Sequence, residues 1–340
     1  MSASLDIEVT RKCNLRCDYC FVGWSRDWTS IMLPKIAHQI IEEGAGLFPM
    51  LHFTGGEPFA YRALFELIEA GLKLDYGEIL INTNGTLLTA ALAQRLAAYG
   101  PRLHISVSLD GPQPIHDSVR GEGRYQQAAQ GINHLLTEGV RVTVMSVVTP
   151  AVLRVLPAFV EELYTAHPGI VGVTLFPVGV GPDGTQKPGI KLYPLTPGEL
   201  RELALAVALL YRTGYNVGVA AYPIINPLLS AFGYPKALQY QCTAGRGRVC
   251  VHADLTVSTC HPVKDPVYGF WQPGLLRRLH QFPAHHKMAA RDFDGCRTCS
   301  LIEQCGHCRA FVMGAGIPLY GNDKICREVL PPVIGPLVLA

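Results

Sequence analysis

The pattern of hydrophobic and polar positions repeats along the first half of the chain. Short apolar segments typical of β-strands alternate with longer segments whose apolar residues recur at helical spacing. The strand-like segments are residues 5–10, 51–54, 78–82, 103–109, 140–148 and 171–177, and the helical ones are residues 34–47, 63–72, 88–98, 125–136 and 153–164. Strands that alternate with helices in this way indicate βαβ units and a parallel sheet.

The fold class that this pattern predicts is α/β, a partial (β/α)6 TIM-like barrel. Catalytic groups in such a barrel lie at the carboxyl ends of the strands. Residues 179–197 are rich in Gly and Pro, a helical pattern returns at residues 199–211, and Pro223 and Pro227 follow. We therefore expect a barrel domain at residues 1–234 and a small cysteine-rich α+β domain at residues 235–340.

Composition excludes several classes of partner. The 340 residues carry a net charge of +2 with 16% charged residues and no basic run, which gives no electrostatic footprint for nucleic acid. No apolar stretch reaches the roughly 18 residues of a membrane span, and the N-terminus lacks a signal pattern. The expectation is a soluble, cytoplasmic protein that does not associate with a membrane.

The eleven cysteines fall into two groups, at residues 13–20 and 242–326, with none between them. An odd number of cysteines in an apparently cytosolic chain favours ligation of metals or clusters over disulfides. Cys13, Cys17 and Cys20 have the spacing C-x3-C-x2-C. Closed zinc sites and ordinary cubane clusters take four protein ligands, so three thiolates leave one metal position open.

The segment RKCNLRCDYC around these cysteines resembles the cluster loop of the radical SAM superfamily. The resemblance implies that the three cysteines hold a [4Fe-4S] cluster whose open iron binds S-adenosylmethionine. Reductive cleavage would then give a 5'-deoxyadenosyl radical that abstracts hydrogen from a substrate. Tyr19 would pack beside the adenine. The alternatives are a zinc knuckle and a set of buried thiols.

Polar motifs lie at the ends of the next three strands. By the same resemblance, the motif Gly55-Gly56-Glu57-Pro58 would hold the methionine amino group and Ser108 would contact the ribose. Arg120, or else Arg124, would pair with the methionine carboxylate, for which a guanidinium is an apt partner. Asn82 is a further candidate for contact with this cofactor. Each motif can also be a simple turn with satisfied side chains.

The second cysteine group resembles the SPASM extension of many radical SAM enzymes, which carries auxiliary [4Fe-4S] clusters. By this resemblance one auxiliary cluster takes Cys242, Cys250, Cys260 and Cys308, and the other takes Cys296, Cys299, Cys305 and Cys326. Two departures stand out: Leu255 replaces the hairpin glycine of the family, and the interval from Cys305 to Cys308 is one residue shorter. A zinc ribbon made of Cys296, Cys299, Cys305 and Cys308 is the alternative.

The resemblance implies an enzyme with three [4Fe-4S] clusters and S-adenosylmethionine that cross-links or dehydrogenates a residue of a peptide or protein. We expect an electron donor such as a flavodoxin or ferredoxin. Because the cluster loop begins at Cys13, a separate recognition protein would bind any leader peptide. His261 stands where sulfatase-modifying relatives carry an aspartate proton acceptor, so it is the candidate catalytic base.

Two other functions stay open from the sequence. The first keeps the radical chemistry but acts on a small molecule such as a sugar, an aminocyclitol or a cofactor precursor. The second is a non-catalytic protein that binds zinc or clusters and interacts with partners.

Overall fold

The computed structural model describes residues 3–20, 22, 27–178, 195–220, 223–240, 243–244, 247–261 and 268–281. The predicted ligands Cys242, Cys296, Cys299, Cys305, Cys308 and Cys326 lie outside the described residues. Of the two departures from the SPASM pattern, only the one at Leu255 lies within the described residues.

Within the described residues, nine strands form one sheet in the order β7-β6-β5-β4-β3-β2-β1-β8-β9. The strands are β1 (Ser4–Thr10), β2 (Met50–Gly55), β3 (Glu78–Thr83), β4 (Leu103–Ser108), β5 (Arg141–Val148), β6 (Gly172–Pro177), β7 (Val217–Val219), β8 (Arg248–Val251) and β9 (Val257–Ser258). Every neighbouring pair is parallel except the antiparallel pair of β8 and β9. Strand order that follows chain order from β1 to β7 is the topology of a βα barrel.

Helices connect the parallel strands and pack on one face of the sheet. They are α1 (Pro34–Gly44), α2 (Leu64–Lys73), α3 (Ala90–Ala97), α4 (Gln113–Arg120), α5 (Arg124–Thr137), α6 (Pro150–Leu153), α7 (Leu156–Ala166), α8 (Pro197–Arg212), α9 (Asn226–Ala231) and α10 (Leu275–Gln281). Short 3-10 turns lie at Pro58–Ala60, Gly100–Arg102, Pro223–Ile225 and Lys236–Leu238. The six predicted strands and the predicted helices are present. The elements that were not predicted are β7, β8, β9, α4, α6, α9 and α10.

The two faces of the sheet differ in polarity. Leu5, Ile7 and Val9 of β1 are fully buried in the core with their apolar counterparts on neighbouring strands. The alternate residues of β1, Asp6 and Glu8, are also buried, and they point to the opposite face because side chains alternate along a strand. The interior of the partial barrel is therefore polar, whereas its helix-facing side forms the hydrophobic core.

The close packing of helices on the sheet depends on small residues. A Cβ atom placed on Gly44 of α1 would lie 2.4 Å from Leu5 Cδ2, and one on Gly71 of α2 would lie 2.8 Å from Leu51 Cδ2. The helix backbones thus approach the sheet to a distance that a larger side chain would prevent. This contact fixes the outer wall against which the polar interior is built.

The C-terminal part of the described chain extends the same sheet. Strand β8 pairs in parallel with β1, with Cys250 opposite Asp6, and a hairpin then adds β9 at the edge. The predicted domain boundary near residue 235 therefore falls before a strand that joins the barrel sheet, and the division into two domains stays a prediction. Among the described helices, none combines the length and the apolar character that a membrane crossing needs.

Candidate active site at the cysteine loop

The cysteine loop follows the carboxyl end of β1 and is anchored on both sides. Arg11 N donates to Ser30 O at 2.8 Å, and Asp18 N donates to Val119 O in α4 at 3.1 Å. In the described residues of this loop, Cys13, Cys17 and Cys20 are free thiols, and Cys17 is buried whereas the other two are partly exposed. The described part of the loop is therefore anchored by backbone hydrogen bonds and not by a disulfide.

The two glycines at the carboxyl end of β2 hold this loop in place. Gly56 N donates to Thr10 O at 2.6 Å and Glu57 N donates to Lys12 O at 2.9 Å. Gly55 has φ +134, and a Cβ atom on it would lie 2.2 Å from Thr10 O. A Cβ on Gly56 would lie 2.1 Å from Lys12 O, so the backbone that approaches both glycines closely is that of the cysteine loop.

The Glu57 carboxylate joins the ends of β2 and β3. Its side chain is fully buried and accepts from Thr83 Oγ1 at 2.7 Å and from Asn84 N at 2.8 Å. Burial raises the pKa of Glu57, although the hydrogen bonds from Asn84, Thr83 and Phe59 act in the opposite direction. The glutamate thus fixes the turn after β3 relative to the glycine motif.

That turn contacts the first cysteine. Asn84 Nδ2 donates to Asn14 Oδ1 at 2.8 Å and lies 3.7 Å from Cys13 Sγ, while Leu15 N donates to Cys13 Sγ at 3.3 Å. Asn14 Nδ2 in turn donates to Thr86 Oγ1 at 2.8 Å. N–H groups directed at a cysteine sulfur are the environment that a cluster-ligating thiolate requires.

A buried ion pair supports the second cysteine. Arg120, the last residue of α4, donates from Nε to Asp110 Oδ2, and its Nη1 lies 3.9 Å from Cys17 Sγ. The Tyr19 hydroxyl donates to the same oxygen of Asp110, and Arg120 Cζ lies 5.6 Å from the centroid of the Tyr19 ring. The other oxygen, Asp110 Oδ1, accepts from Val147 N at 2.6 Å.

The loop fits an iron–sulfur cluster better than one metal ion. A tetrahedral zinc ion with Zn–S bonds of about 2.3 Å would hold its sulfurs about 3.8 Å apart. In the described part of the chain, the three thiols do not form a set with all ligand atoms within 4.8 Å of one another. Burial raises the pKa of Cys17 to about 11 and also raises the pKa of Cys13. Both are therefore protonated until a cation binds, and their N–H partners suit a bound cluster.

A second polar cluster lies inside the barrel at the end of β1. Glu8 Oε2 accepts from His261 Nε2 at 2.6 Å and lies 3.2 Å from His252 Nδ1, and Thr54 Oγ1 lies 3.2 Å from His261 Nδ1. Glu8, His252 and His261 also have the ligand types of a metal site. These groups hydrogen-bond to one another, and Glu8 Oε1 also accepts from Arg11 Nε at 2.5 Å, so we describe the group as a hydrogen-bonded network.

Arg11 connects the cysteine loop to the hairpin of β8 and β9. Its side chain is 4% exposed and pairs with Glu8, with Asp27 Oδ2 at 2.8 Å and with Asp254 Oδ2 at 2.8 Å. Asp254 lies in the hairpin turn between Cys250 and Cys260. The loop that would bind the first cluster and the hairpin that carries two predicted auxiliary ligands are thus joined by one buried guanidinium.

The hairpin keeps a glycine-like turn without a glycine. Leu255 adopts φ +67, in the left-handed region that side chains rarely occupy. Leu255 N donates to His252 O at 2.8 Å and Trp271 N donates to Leu255 O at 2.7 Å. Leu255 therefore adopts the left-handed conformation that a glycine would adopt more easily, and the leucine side chain makes this conformation strained.

The structure places the predicted site residues in two groups. Tyr19, Gly55, Gly56, Glu57 and Arg120 lie at the cysteine loop, whereas His261 lies in the Glu8 network. Asn82 and Ser108 are paired with Ser106 and Met145 on the adjacent strands, and Arg124 Nη1 donates to Gln127 Oε1 at 2.8 Å. Their predicted contacts with S-adenosylmethionine stay predictions.

Sequence reasoning missed four residues of these groups, Glu8, Arg11, Asn84 and Asp110. One signal was available for Glu8. Residues 4–10, SLDIEVT, alternate polar and apolar, whereas a parallel strand buried on both faces is usually continuously apolar. Such alternation indicates a polar interior face, and it would have singled out Asp6 and Glu8.

Comparison with protein families identifies the domain. Residues 7–153 match the model of the radical SAM superfamily. An AdoMet-dependent heme synthase of Nitratidesulfovibrio vulgaris is 33% identical over 156 residues, which are 42% of this chain and 39% of that protein. The subtilosin biosynthesis protein AlbA of Bacillus subtilis is 29% identical over 143 residues, 40% of this chain and 31% of AlbA. The chain thus matches two-fifths or less of the length of these relatives.

Solved structures match the fold over almost the whole chain. The structure of anSMEcpe with bound AdoMet and the Cp18Cys peptide superposes with a TM-score of 0.73 at 19% identity, covering 100% of this chain and 98% of that one. Streptococcus suis SuiB bound to the precursor peptide SuiA gives 0.73 at 16% identity, covering 96% and 76%. The predicted TIM-like partial barrel is confirmed, and the match over residues 7–153 confirms the resemblance of this part of the chain to the radical SAM superfamily.

Proposed function

We propose that this chain, which contains a radical SAM domain, is an enzyme that oxidatively modifies a peptide or protein substrate with the help of two auxiliary [4Fe-4S] clusters. The observation that carries the proposal is the hairpin of β8 and β9. It adds to the barrel sheet beside β1, where Cys250 lies opposite Asp6, and it contacts the start of the cysteine loop through the pair of Asp254 and Arg11, while His261 hydrogen-bonds to Glu8 of β1. Cleavage of S-adenosylmethionine requires only the cluster at the cysteine loop, so the additional thiols of this hairpin favour a further, auxiliary role.

The comparisons support this reading. AlbA is a bacteriocin biosynthesis protein, and both anSMEcpe and SuiB were solved with a bound peptide. We carry the peptide substrate class over from these proteins as a proposal. An external electron donor such as a flavodoxin or ferredoxin, and a separate protein that recognises a leader peptide, remain part of it.

When bound, the cluster and S-adenosylmethionine supply a 5'-deoxyadenosyl radical that removes hydrogen from the substrate. The chain positions this chemistry. The glycine motif and Glu57 hold the cysteine loop, Asn84 and Leu15 donate toward Cys13, and the polar barrel interior receives the substrate.

His261 is the proposed proton acceptor. The network gives this residue a fixed orientation, because Glu8 accepts from its Nε2 and Thr54 faces its Nδ1. A carboxylate behind the ring stabilises the imidazolium that forms when the other nitrogen takes a proton. Substrate would then approach from the Thr54 side.

A small-molecule substrate is the second candidate. It is favoured by the heme synthase of Nitratidesulfovibrio vulgaris, which at 33% identity is closer in sequence than the peptide-handling AlbA at 29%. A GTP 3',8-cyclase of Alkaliphilus oremlandii also matches at 29% identity. These relatives align with about two-fifths of this chain, as AlbA does, so sequence identity alone does not decide between the two substrate classes.

The experiment that tests the proposal is anaerobic turnover of the reconstituted protein with S-adenosylmethionine and a reductant. Candidate peptides and tetrapyrrole or nucleotide precursors are offered separately, and each is examined by mass spectrometry for loss of hydrogen. We expect a peptide to lose two hydrogens in proportion to the 5'-deoxyadenosine formed. Loss of mass in a small molecule alone would favour the second candidate, and zinc in place of iron with no cleavage would leave a non-catalytic protein.

A further inference from the structure

The ion pair of Asp110 and Arg120 is placed asymmetrically with respect to the cysteine loop. The Arg120 guanidinium reaches Cys17 Sγ with Nη1 at 3.9 Å, while its Nε is bound to Asp110. Both side chains are buried, with exposed fractions of 8% for Arg120 and 1% for Asp110. The positive end of the pair therefore faces the thiol, and the negative end faces away.

The position of the pair is fixed from the Asp110 side. Asp110 Oδ1 accepts from Val147 N at 2.6 Å, Oδ2 also accepts from the Tyr19 hydroxyl, and Asp110 N donates to His116 Nδ1 at 3.0 Å. These bonds come from β5, the cysteine loop and α4. With its carboxylate held by β5 and the cysteine loop and its backbone N–H bound to α4, Asp110 keeps the positive end of the pair directed at Cys17.

The electrostatic consequence concerns the sulfur. Cys17 is 8% exposed, so the charges that surround it are screened less than charges in water. A positive charge near a ligand sulfur stabilises the reduced, more negative cluster, and a negative charge destabilises it. The reduction potentials of iron–sulfur clusters depend on such local charges and on hydrogen bonds to the sulfurs.

We propose that the Asp110–Arg120 pair sets the reduction potential of the cluster held by Cys17, with Arg120 raising the potential and Asp110 partly offsetting it. Both are positioning residues in this role, since neither needs to touch the reacting atoms. The inference rests on the proposed function to the extent that it needs a cluster at the cysteine loop. It does not depend on the substrate or on the predicted contact of Arg120 with the methionine carboxylate.

The test is a reductive titration of the full-length, reconstituted protein, followed by electron paramagnetic resonance without S-adenosylmethionine. The signal of this cluster is first assigned as the component that changes when S-adenosylmethionine is added. For Arg120→Gln we expect the equilibrium constant for one-electron reduction to fall at least about tenfold, which corresponds to about 59 mV. For Asp110→Asn we expect it to rise by about threefold or more, because the guanidinium loses its counter-charge.

Control variants separate charge from structure. Arg120→Lys keeps the charge, and Arg16→Gln removes an exposed charge of the same loop whose guanidinium binds the carbonyls of Cys13 and Leu15. Arg120→Lys should leave the equilibrium constant within about threefold of wild type because the charge is kept. Arg16→Gln should do the same because an exposed charge is screened by solvent. The double variant Asp110→Asn, Arg120→Gln should lie between the two single variants.

The proposal would be overturned if the equilibrium constant shifted in the same direction in both single variants, or in neither. Loosening of the loop would shift the constant the same way in both variants, whereas a charge effect has opposite signs. Iron content and melting temperature check assembly. If Arg120→Gln does not assemble the cluster, the result for Asp110→Asn is decisive by itself. An unchanged or lowered equilibrium constant in Asp110→Asn would then contradict the proposal. A wild-type protein that assembles no cluster contradicts the proposed function instead, so the two failures are distinguishable.

Discussion

At the scale of single residues, the buried groups around the cysteine loop make stability depend on pH. His116 is 1% exposed and its Nδ1 accepts from Asp110 N, and burial lowers the pKa of this histidine from 6.5 to about 4. The unfolded chain therefore takes up a proton at a higher pH than the folded chain. This contribution to stability is complete above about pH 6.5 and is lost as the pH falls toward 4.

We expect the free energy of unfolding to fall by about 2 kcal/mol between pH 7 and pH 5 because of His116. His116→Asn offers an amide oxygen in place of Nδ1 and removes the titrating ring, so its stability should depend less on pH by that amount. Anaerobic urea unfolding of both proteins at the two pH values measures the difference. Equal slopes for wild type and variant would show that His116 is not the source.

Leu255 carries strain that burial alone does not reveal. At φ +67 a β-branched side chain is strongly disfavoured, whereas asparagine tolerates this region. We expect Leu255→Val to lower the free energy of unfolding by about 2 kcal/mol or more, and Leu255→Asn to cost about 1 kcal/mol.

The order of these two variants is the informative result. Packing alone would make the apolar valine the milder change. A Leu255→Val protein that is more stable than Leu255→Asn would therefore contradict the strain argument. Leu33→Val serves as the control, because Leu33 is 68% exposed and has φ −67. Thermal unfolding of the three variants beside wild type measures the order.

At the scale of elements, specific polar contacts attach the later part of the chain to the barrel. Arg11 attaches the hairpin of β8 and β9 to the cysteine loop, as described above. Glu43 of α1 attaches α10, since its Oε1 accepts from Leu276 N at 2.7 Å and from Arg277 N at 3.3 Å. A carboxylate at these amides satisfies donors at a helix N-terminus and complements its dipole.

We expect Glu43→Gln to lower the free energy of unfolding by about 1 kcal/mol and to speed hydrogen exchange at the Leu276 amide by roughly tenfold. The neighbouring Glu42 is exposed on the same helix, so Glu42→Gln is the matched control and should change neither quantity. Hydrogen exchange followed by mass spectrometry resolves the local effect. An unchanged Leu276 amide in Glu43→Gln would mean that α10 is held by its apolar contacts alone.

At the scale of the whole molecule, two sets of thiols are expected to play separable roles. Cys17 belongs to the cysteine loop and Cys260 to the hairpin beside it. We expect Cys17→Ala to abolish cleavage of S-adenosylmethionine, because the first cluster loses a ligand. Cys260→Ala should retain cleavage but lose the modified product, since only an auxiliary cluster is disturbed.

Chromatography of 5'-deoxyadenosine and mass spectrometry of the substrate measure the two outcomes. Thr259→Val is the control for disturbance of the hairpin, because Thr259 is fully buried beside Cys260 and valine has nearly the same shape. It should retain both activities. Full product formation by Cys260→Ala would remove the auxiliary role of this cysteine.

The local pattern was sufficient for much of this architecture. Strands β1 to β6 and most of the helices up to residue 177 were predicted, because alternation and helical spacing are properties of neighbouring residues. The short β7 and the eight-residue α4, Gln113–Arg120, were missed. Helix α4 is mostly polar with a proline near its start, so its sequence is equally compatible with a turn.

By itself the sequence determined the parallel barrel and the three cysteines of the loop, because short-range periodicity and ligand spacing specify them. The tertiary structure alone decided that Glu8 meets His261, 253 residues away, and that Arg120 stands between Asp110 and Cys17. The physical reason is that a buried charge is stable only beside its partner. Folding chooses that partner from the whole chain, and no local pattern records the choice.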